Sequence, residues 1–404
     1  PLASCSYLSS SSLPALPASR TRRPSDVSID IPRDLVAFDT TSRHSNMPLI
    51  DYVAEYLSDH NIAPRVIPSE DGLKANLFCT IGPETAGGVV LSGHSDVVPV
   101  DGQDWSTDPF DLTEQDGRLF GRGSADMKGF IACTLAQVPA YAAMDMSRPI
   151  HLAFSYDEEV GCLGVGRMID VILSELPHPA AVIVGEPTGM QIASAHKGIC
   201  AVTTTLRGRE AHSSRPQDGA NAIEAAAAFV SFLYRLCDEL AATERDDRFE
   251  PPYTTFNVGK VSGGDALNII ARECLLNWEF RPIPGADPDA IIDRIDTWVR
   301  SELLPRMQAI HPACSVESVR EFLVPPFSAP DGSVAEAIVR EASGQNSSGT
   351  VAFVTEASLF TTAGVPAIVC GPGDIAQAHQ PDEFIEKSQI AECLRFLERV
   401  AAPA

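Results

Sequence analysis

Short apolar runs that each lead to a histidine or an acidic residue recur four times along this chain. They are VVLSG before His94, HLAFSY before Asp157-Glu158-Glu159, AVIVG before Glu186, and PAIVCGPG ahead of the loop that contains His379. Apolar runs of this length are typical of strands that are buried on both faces of a parallel sheet. Because ligands bind beyond the carboxyl ends of such strands, the recurrence predicts a polar site along one edge of one sheet.

The segments between these runs favour helices, and this indicates the fold class. The residues after Asp126, MKGFIACTLAQVPAYAAM, have the apolar spacing of a helix, and helices are also predicted over 333–342 and 385–400. Strands that alternate with helices in this way predict an α/β fold with a mostly parallel sheet flanked by helices.

The pattern changes near Ala195. From there the predicted order is strand, helix, strand, strand, helix, strand, which is the order of a ferredoxin-like α+β unit. We therefore predict an inserted domain over 195–318, within a catalytic domain that consists of 26–194 and 319–404. A chain of 404 residues is long enough to form two separate apolar cores.

Residues 1–25 have a different composition from the rest of the chain. They are rich in Ser and Pro, contain Arg20, Arg22 and Arg23, and include no acidic residue. This composition predicts a disordered tail. A targeting peptide shares the Ser and Arg bias and is the alternative, although no clear amphipathic helix supports it.

The charge balance argues against two classes of partner. The 30 basic residues face 54 acidic ones, which gives a net charge of −24. Such a surface repels nucleic acid and anionic membranes, so neither is expected as a partner. A membrane span is not expected either, because the longest apolar run, AIEAAAAFVSFLYRLC, contains Glu224 and Arg235 and is typical of an amphipathic helix.

The ten cysteines are scattered and form no C-x-x-C pair. This spacing fits neither a zinc ribbon nor a small disulfide scaffold. It predicts buried thiols in a reducing compartment, and hence a soluble cytoplasmic protein.

The candidate ligands are imidazoles and carboxylates without thiolates. Each one alone has an ordinary interpretation: acidic loop residues are usually solvated, Glu186 can cap a turn, and His379 can lie on the surface. Their predicted coincidence on one edge favours a metal site for Zn²⁺, with Co²⁺ or Mn²⁺ as alternatives. With Asp126 included, the set exceeds the three ligands of one catalytic zinc and indicates two metals that share a carboxylate.

Six longer stretches of the sequence carry a resemblance to a known family. They are LSGHSDVVPVDGQDW, GRGSADMKG, SYDEEVGCLGVG, IVGEPTGMQIASAHKG, GREAHSSRPQDGANAI and GPGDIAQAHQPDEF. In this order, over about residues 30–400, they resemble the M20 family of dinuclear-zinc amidohydrolases and peptidases. The resemblance implies a zinc-peptidase-like fold with an inserted lid or dimerisation domain, two Zn²⁺ ions with Co²⁺ as a possible substitute, and a homodimer.

The resemblance also implies roles for individual residues at the metal centre. His94 and Glu186 would bind one zinc, Glu159 and His379 the other, and Asp126 would bridge the two. Glu158 would be the general base, and Asp96 would hold and polarise His94. The peptide bond between Asp126 and Met127 would be cis, as in relatives.

Further roles are implied outside the metal ligands. His212 would stabilise the oxyanion of the reaction, often from the partner subunit of a dimer. Asn268 and Arg281 resemble residues that hold the carboxylate of the substrate, a task that suits the arginine fork. Thr355 is a further candidate for the same contact. Ser95 and Ser124 depart from the family pattern, in which Thr is frequent, but neither position is a ligand.

The expected activity is hydrolysis of the amide bond of a small N-acyl amino acid. The resemblance is strongest to the deacetylases of N2-acetyl-L-ornithine, which release L-ornithine and acetate in arginine synthesis. A succinyl-diaminopimelate desuccinylase, an aminoacylase or a carboxypeptidase would use the same chemistry with a different pocket. A non-catalytic relative is disfavoured because all five ligands, Glu158 and His212 are present.

Overall fold

The computed structural model describes residues 27–402, so the predicted disordered tail over 1–25 lies outside the described residues. The helices in chain order are α1 (Val27–Val36), α2 (Met47–Asp59), α3 (Lys128–Ala143), α4 (Val165–Glu175), α5 (Ala222–Thr243), α6 (Pro288–Trp298), α7 (Leu304–Gln308), α8 (Val334–Ser343), α9 (Ala357–Thr362) and α10 (Lys387–Ala401). A π-helical turn, Val299–Leu303, joins α6 to α7.

The strands in chain order are β1 (Arg65–Pro68), β2 (Ala75–Ile81), β3 (Val89–His94), β4 (Thr113–Gln115), β5 (Arg118–Phe120), β6 (Ile150–Ser155), β7 (Ala181–Val184), β8 (Ala193–His196), β9 (Ile199–Arg207), β10 (Thr255–Gly263), β11 (Glu273–Arg281), β12 (Ser315–Val324), β13 (Phe327–Ser328), β14 (Gly349–Val351), β15 (Ala367–Val369) and β16 (Phe384–Glu386).

The principal sheet has nine strands in the order β1-β2-β6-β3-β7-β15-β8-β13, with β14 also paired to β8. Its centre, β6-β3-β7-β15, is parallel throughout. Antiparallel pairs occur toward both sides, at β1-β2, β2-β6, β15-β8 and β8-β13. The predicted α/β class with a parallel central sheet and flanking helices is thus confirmed.

Helices cover both faces of this sheet, and alternate residues of its strands enter two different cores. In β3, Val89 and Leu91 pack with α1, α2, α3, α8 and α10 on one face. Val90 packs on the opposite face with α4 and α9. This two-sided burial explains why the sequence shows continuous apolar runs instead of alternation.

A second sheet of four strands has the order β10-β11-β9-β12, and all its pairs are antiparallel. Strands β9 and β11 bury alternate residues, and this face packs against α5 and α6 in a separate core. The chain order β9-α5-β10-β11-α6-β12 is the predicted β-α-β-β-α-β order. The function of this unit as a lid or dimerisation domain stays a prediction.

The bounds of this unit differ from the predicted 195–318. Strand β8 at Ala193–His196 still belongs to the principal sheet, and β9 begins at Ile199. At the other end, β12 continues to Val324. The register shifts between Arg320 and Phe322, and pairing resumes beyond the polar residues at which the sequence pattern predicts the end of the strand.

A small third sheet, β16-β5-β4, joins distant parts of the chain. Strand β16 pairs with β5, so that Phe384 lies opposite Phe120. Within residues 27–402, no helix is both long and apolar enough to cross a membrane.

Close packing at Gly185, directly before Glu186, leads to a stability prediction. A Cβ atom at Gly185 would lie 2.1 Å from ring carbons of Phe130, which is fully buried in α3. We expect Gly185→Ala to lower the free energy of unfolding by about 1–3 kcal/mol, because the core cannot accept the added methyl group without rearrangement. Equilibrium unfolding in urea measures this.

Gly166→Ala is the matched control, since no atom lies within 4 Å of a Cβ at that position in α4. It should be neutral or stabilise the protein by roughly 0.5–1 kcal/mol, the usual gain of Ala over Gly in a helix. Equal unfolding free energies for the two variants would contradict the packing argument.

Candidate metal centre

The four strands that precede the predicted ligands are neighbours in the centre of the principal sheet. Because β6, β3, β7 and β15 are parallel, their carboxyl ends lie on one edge. His94 is the last residue of β3, Glu158 and Glu159 follow β6, and Glu186 follows β7. The fourth strand, β15, leads through a longer loop to His379.

Two groups of side chains on this edge are close enough to hold a metal ion. His94, Glu158 and Glu186 form one group, and His94, Asp126 and Glu159 form the other, with ligand atoms within 4.8 Å of one another in each group. His94 is 1% exposed, Asp126 5%, Glu158 9% and Glu186 3%. These four residues are therefore largely shielded from water, whereas the side chain of His379 is 50% exposed.

Asp126 lies between the two histidines. Its Oδ1 is 3.0 Å from His94 Nε2, and its Oδ2 is 3.3 Å from His379 Nε2. Glu159 Oε2 lies 3.0 Å from the same His379 nitrogen. Asp126 lies in the turn before α3, and its peptide bond to Met127 is cis, as predicted. One carboxylate thus faces a separate imidazole with each of its oxygens.

The pKa values in the cluster reflect burial and crowding of charge. Burial and the charge of Asp126 raise the pKa of Glu159 to about 7 and that of Glu186 well above its ordinary range. Burial also raises the pKa of Glu158, and the adjacent Glu159 carboxylate adds to the shift. Hydrogen bonds to Asp126 and Glu159 raise the pKa of His379 to about 10.

Asp126 and His94 shift each other's pKa. Burial tends to raise the pKa of Asp126, but the hydrogen bonds from His379 and His94 outweigh it and lower that pKa. Burial tends to lower the pKa of His94, whereas its hydrogen bond to Asp126 and the charges of Glu186 and Glu158 raise it well above 6.5. Several buried carboxylates that share two imidazoles form a site with an excess of negative charge.

Asp96 does not hold His94 in the predicted manner. Its Oδ1 is 3.6 Å from His94 Nδ1, too long for a hydrogen bond, and the imidazole instead pairs with the main-chain oxygen of Asp96 at 2.9 Å. The Asp96 carboxylate accepts hydrogen bonds from the main-chain N–H groups of Glu158 and Glu159, at 3.1 and 3.3 Å. Ser42 donates to it as well, at 2.7 Å.

The three acidic residues after β6 face different partners. Glu158 accepts a hydrogen bond from the thiol of Cys162 at 3.4 Å, whereas Glu159 faces His379. Asp157 forms an ion pair with Lys74 at 2.5 Å. Glu158 and Glu159 belong to the candidate ligand groups, and Asp157 does not.

His212, Asn268 and Arg281 lie on the second sheet unit. His212 is exposed, and its Nδ1 accepts a hydrogen bond from Ser214, while Ser213 N donates to Asn268 O at 3.0 Å. Arg281 Nε donates to Glu279 at 3.0 Å. In the described part of the chain, no hydrogen bond or ion pair joins these three side chains to the cluster.

The predicted substrate contact of Thr355 does not agree with the structure. Thr355 is completely buried, and its hydroxyl oxygen accepts a hydrogen bond from Ala357 N at 3.1 Å, at the start of α9. Its own N–H donates to His196 Nε2 at 3.3 Å. The side chain is therefore committed to the local fold and has no surface to offer a substrate.

Sequence reasoning missed two buried carboxylates beside the cluster. Ser92 of β3 donates to Glu356 at 3.2 Å, and burial raises the pKa of Glu356 to about 7. Glu383 forms a buried ion pair with Arg122 at 2.7 Å. The sequence signal was weak: Glu356 is an isolated acidic residue in FVTEASLF, and Glu383 follows directly after Asp382 in QPDEFI.

A cavity of about 700 Å³ lies elsewhere, lined among others by Arg248, Ser333 and Arg340. It shares no residue with the cluster at the carboxyl ends of the central strands. Its lining contains no histidine, and its carboxylates, Asp331 and Glu336, belong to neither candidate metal group, so we assign the chemistry to the cluster.

The donor set fits a divalent cation. Histidine nitrogens and carboxylate oxygens at one buried point are ligands for Zn²⁺ and similar metals. Two or more positive charges would offset the burial and the mutual repulsion that raise the pKa values of Glu158, Glu159 and Glu186. The residues present are thus suited to hold metal.

Comparison with protein families gives an independent result. The model of peptidase family M20/M25/M40 matches residues 90–402. An acetylornithine deacetylase of Myxococcus xanthus is 37% identical over 398 residues, which cover 97% of this chain and 98% of that protein. An acetylornithine deacetylase of Proteus mirabilis is 35% identical, over 88% of this chain and 89% of the relative.

Solved structures show the same fold. An M20 family metallo-carboxypeptidase from Sulfolobus solfataricus superposes with a TM-score of 0.75 at 18% identity, over 93% of this chain and 98% of that one. A dinuclear metal-binding M20 peptidase from Bacillus subtilis gives a TM-score of 0.66 at 12% identity, over 94% and 97% of the two chains. At these identities the likeness concerns the fold.

The excess negative charge leads to a prediction about metal and stability. Co²⁺ added to chelator-treated protein at pH 8 should raise the Tm, because a bound cation offsets the carboxylate repulsion. At a 100-fold excess over Kd the stabilisation is about 2.7 kcal/mol. Glu159→Gln should raise the Tm of the metal-free protein and reduce the gain from Co²⁺.

Glu317→Gln is the control, since Glu317 forms an exposed ion pair with Arg207. Differential scanning fluorimetry with and without chelator compares the three proteins. The same Co²⁺-induced gain in all of them would show that Glu159 takes no part in metal binding.

Proposed function

The chain belongs to peptidase family M20/M25/M40, and on that premise we propose that it hydrolyses the amide bond of N2-acetyl-L-ornithine. The products are L-ornithine and acetate. The observation that carries this proposal is the buried cluster of imidazoles and carboxylates at the edge of the parallel strands. The full-length similarity to acetylornithine deacetylases supports the choice of substrate.

Two Zn²⁺ ions are the proposed cofactors, with Co²⁺ as a functional substitute. His94 and Glu186 would hold one ion, and Glu159 and His379 the other. Asp126 would be shared, and the placement of its two oxygens, at 3.0 Å from His94 and 3.3 Å from His379, supports this. When bound, the ions supply Lewis acidity toward water and toward the amide carbonyl.

Glu158 is the proposed general base. It takes a proton from the attacking water while the oxygen forms a bond to the carbonyl carbon, and it then donates that proton to the leaving nitrogen as the C–N bond breaks. Its burial, with 9% of the residue exposed among the candidate ligands, shields from bulk water a carboxylate that must both accept and release a proton. The hydrogen bonds from Glu158 N and Glu159 N to Asp96 fix the segment that carries this base.

The substrate carboxylate is proposed to bind Arg281 and Asn268, and His212 is proposed to donate to the developing oxyanion. Their position on the second sheet unit, with His212 exposed, supports action across the interface of a homodimer formed through that unit. The site would then be complete only when two copies of the chain associate.

A place in arginine biosynthesis follows if acetylornithine is the substrate, since its product is ornithine. We also propose a cytoplasmic location. The nine described cysteines are free and most of them are buried, a state that suits a reducing compartment.

Acetate release from N2-acetyl-L-ornithine tests the proposed activity. Glu158→Gln should lower kcat by about 10²- to 10⁴-fold, because it removes the proton carrier and keeps the shape of the side chain. Chelator treatment should abolish turnover, and added Zn²⁺ or Co²⁺ should restore it. Glu175→Gln, an exposed carboxylate paired with Arg65, is the control and should retain full activity.

The same assay separates the related activities. Turnover of N-succinyl-diaminopimelate, other N-acyl amino acids or dipeptides without turnover of acetylornithine would replace the proposed substrate and leave the reaction class in place. No turnover of any of them by folded, metal-loaded protein would refute the enzyme assignment.

Mixing inactive variants tests the role of the dimer. If His212 acts on the partner subunit, a hybrid of His212→Ala and Glu158→Ala chains contains one intact site. With random exchange of subunits, activity should recover to about a quarter of the unsubstituted level. No recovery after exchange has been demonstrated by mass spectrometry would exclude action across the interface.

A further inference from the structure

Glu383 is a buried carboxylate that binds the turn carrying Asp126. Its side chain is 1% exposed, and its Oε1 accepts hydrogen bonds from Ala125 N at 2.9 Å and Asp126 N at 3.0 Å. Its Oε2 accepts from Gly123 N at 3.0 Å. Three main-chain groups of one short turn thus converge on a single side chain.

Arg122 completes the coordination of Glu383. Its Nη1 donates to Glu383 Oε2 at 2.7 Å, and both side chains of the ion pair are 1% exposed. Its Nη2 donates to Gln103 Oε1 at 2.6 Å, and its guanidinium lies 5.1 Å from the ring centre of Trp105. The arginine is therefore held on three sides.

Gln103 extends the network to the second ligand loop. Its Nε2 donates to the main-chain oxygen of His379 at 2.9 Å. Trp105 Nε1 donates to Gln103 Oε1 at 2.9 Å and fixes the orientation of the amide. A continuous chain of hydrogen bonds thus runs from Asp126 N through Glu383, Arg122 and Gln103 to His379 O.

A buried ion pair by itself is weak evidence for stability, because desolvation offsets most of the attraction. The bonding pattern here indicates a different role. Both carboxylate oxygens of Glu383 accept hydrogen bonds, and the donors are Arg122 and the main-chain N–H groups of the turn. The amide of Gln103 donates to the loop that carries His379. The network joins the two segments that must be placed together if Asp126 and His379 are to share a metal ion.

We propose that Glu383 is a positioning residue of the metal centre, which acts with Arg122 and Gln103 to fix Asp126 and His379 relative to each other. The inference rests on the proposed function, in which both residues are ligands. Glu383 contacts no ligand side chain; it acts through the main chain of the turn. Partners that orient ligands in this way typically contribute 10- to 100-fold to metal affinity.

Glu383→Gln tests this role with little change in shape. The amide nitrogen replaces one acceptor, so at least one N–H group of the turn or of Arg122 loses its partner. Co²⁺ titration of metal-free protein, followed by calorimetry and by the visible absorption of the bound ion, should show roughly 10- to 100-fold weaker binding and an altered spectrum.

Glu386→Gln is the matched control. Glu386 lies on β16 and forms an exposed ion pair with Arg118 at 2.8 Å, so the change removes a carboxylate from the same segment without touching the turn. Its Co²⁺ affinity and spectrum should equal those of the unsubstituted protein. Equal affinity and an equal spectrum for folded Glu383→Gln protein would overturn the proposal.

Gln103→Ala serves as a second variant, because Gln103 is only partly buried and Glu383 remains in place. It removes the link to His379, and about tenfold weaker Co²⁺ binding is expected. If Glu383→Gln protein does not fold, unchanged binding by Gln103→Ala overturns the proposal and weakened binding supports it. Absence of Co²⁺ binding by the unsubstituted protein would instead refute the metal centre of the proposed function.

Discussion

The structure depends on one electrostatic constraint, the burial of several carboxylates at the edge of a parallel sheet. A carboxylate removed from water is costly unless hydrogen bonds or cations compensate it. Asp126, Glu158, Glu159 and Glu186 meet there, and the basic groups that face them in the described part of the chain are two imidazoles. The ends of the parallel strands and the turn before α3 hold these side chains together, and a bound cation would make the arrangement favourable.

Compensation extends beyond the cluster through carboxylates that bind the main chain. Asp96 accepts from the N–H groups of Glu158 and Glu159, and Glu383 accepts from those of Gly123, Ala125 and Asp126. In both cases an acidic side chain binds the main chain of the loop that carries a residue of the candidate site. The site is therefore held by its loops as much as by its strands.

The sequence was sufficient to predict the parts of the fold and of the candidate site that follow from the pattern of apolar residues. Strands buried on both faces appear as continuous apolar runs, so the ends of β3, β6, β7 and β15 and the residues beyond them could be located. The sequence was insufficient where tertiary contacts determine the partners of a side chain. The carboxylate of Asp96 accepts hydrogen bonds from main-chain N–H groups, and Thr355 is buried. The partners of Glu383 are distant in the chain and leave no sequence pattern. The irregularity in β12 likewise displaced the boundary of the second sheet unit.

The small sheet that pairs β16 with β5 has a consequence for how the protein is made. Glu383 follows Asp126 by 257 residues, and the whole second sheet unit lies between them. On the ribosome, the turn with Asp126 emerges long before its buried partner, and the intervening unit can acquire its own core first. Closure of so long a loop is entropically costly and slow. The turn with Asp126 can therefore bind Glu383 only after residue 383 has been translated, at a stage when the second sheet unit can already have acquired its own core.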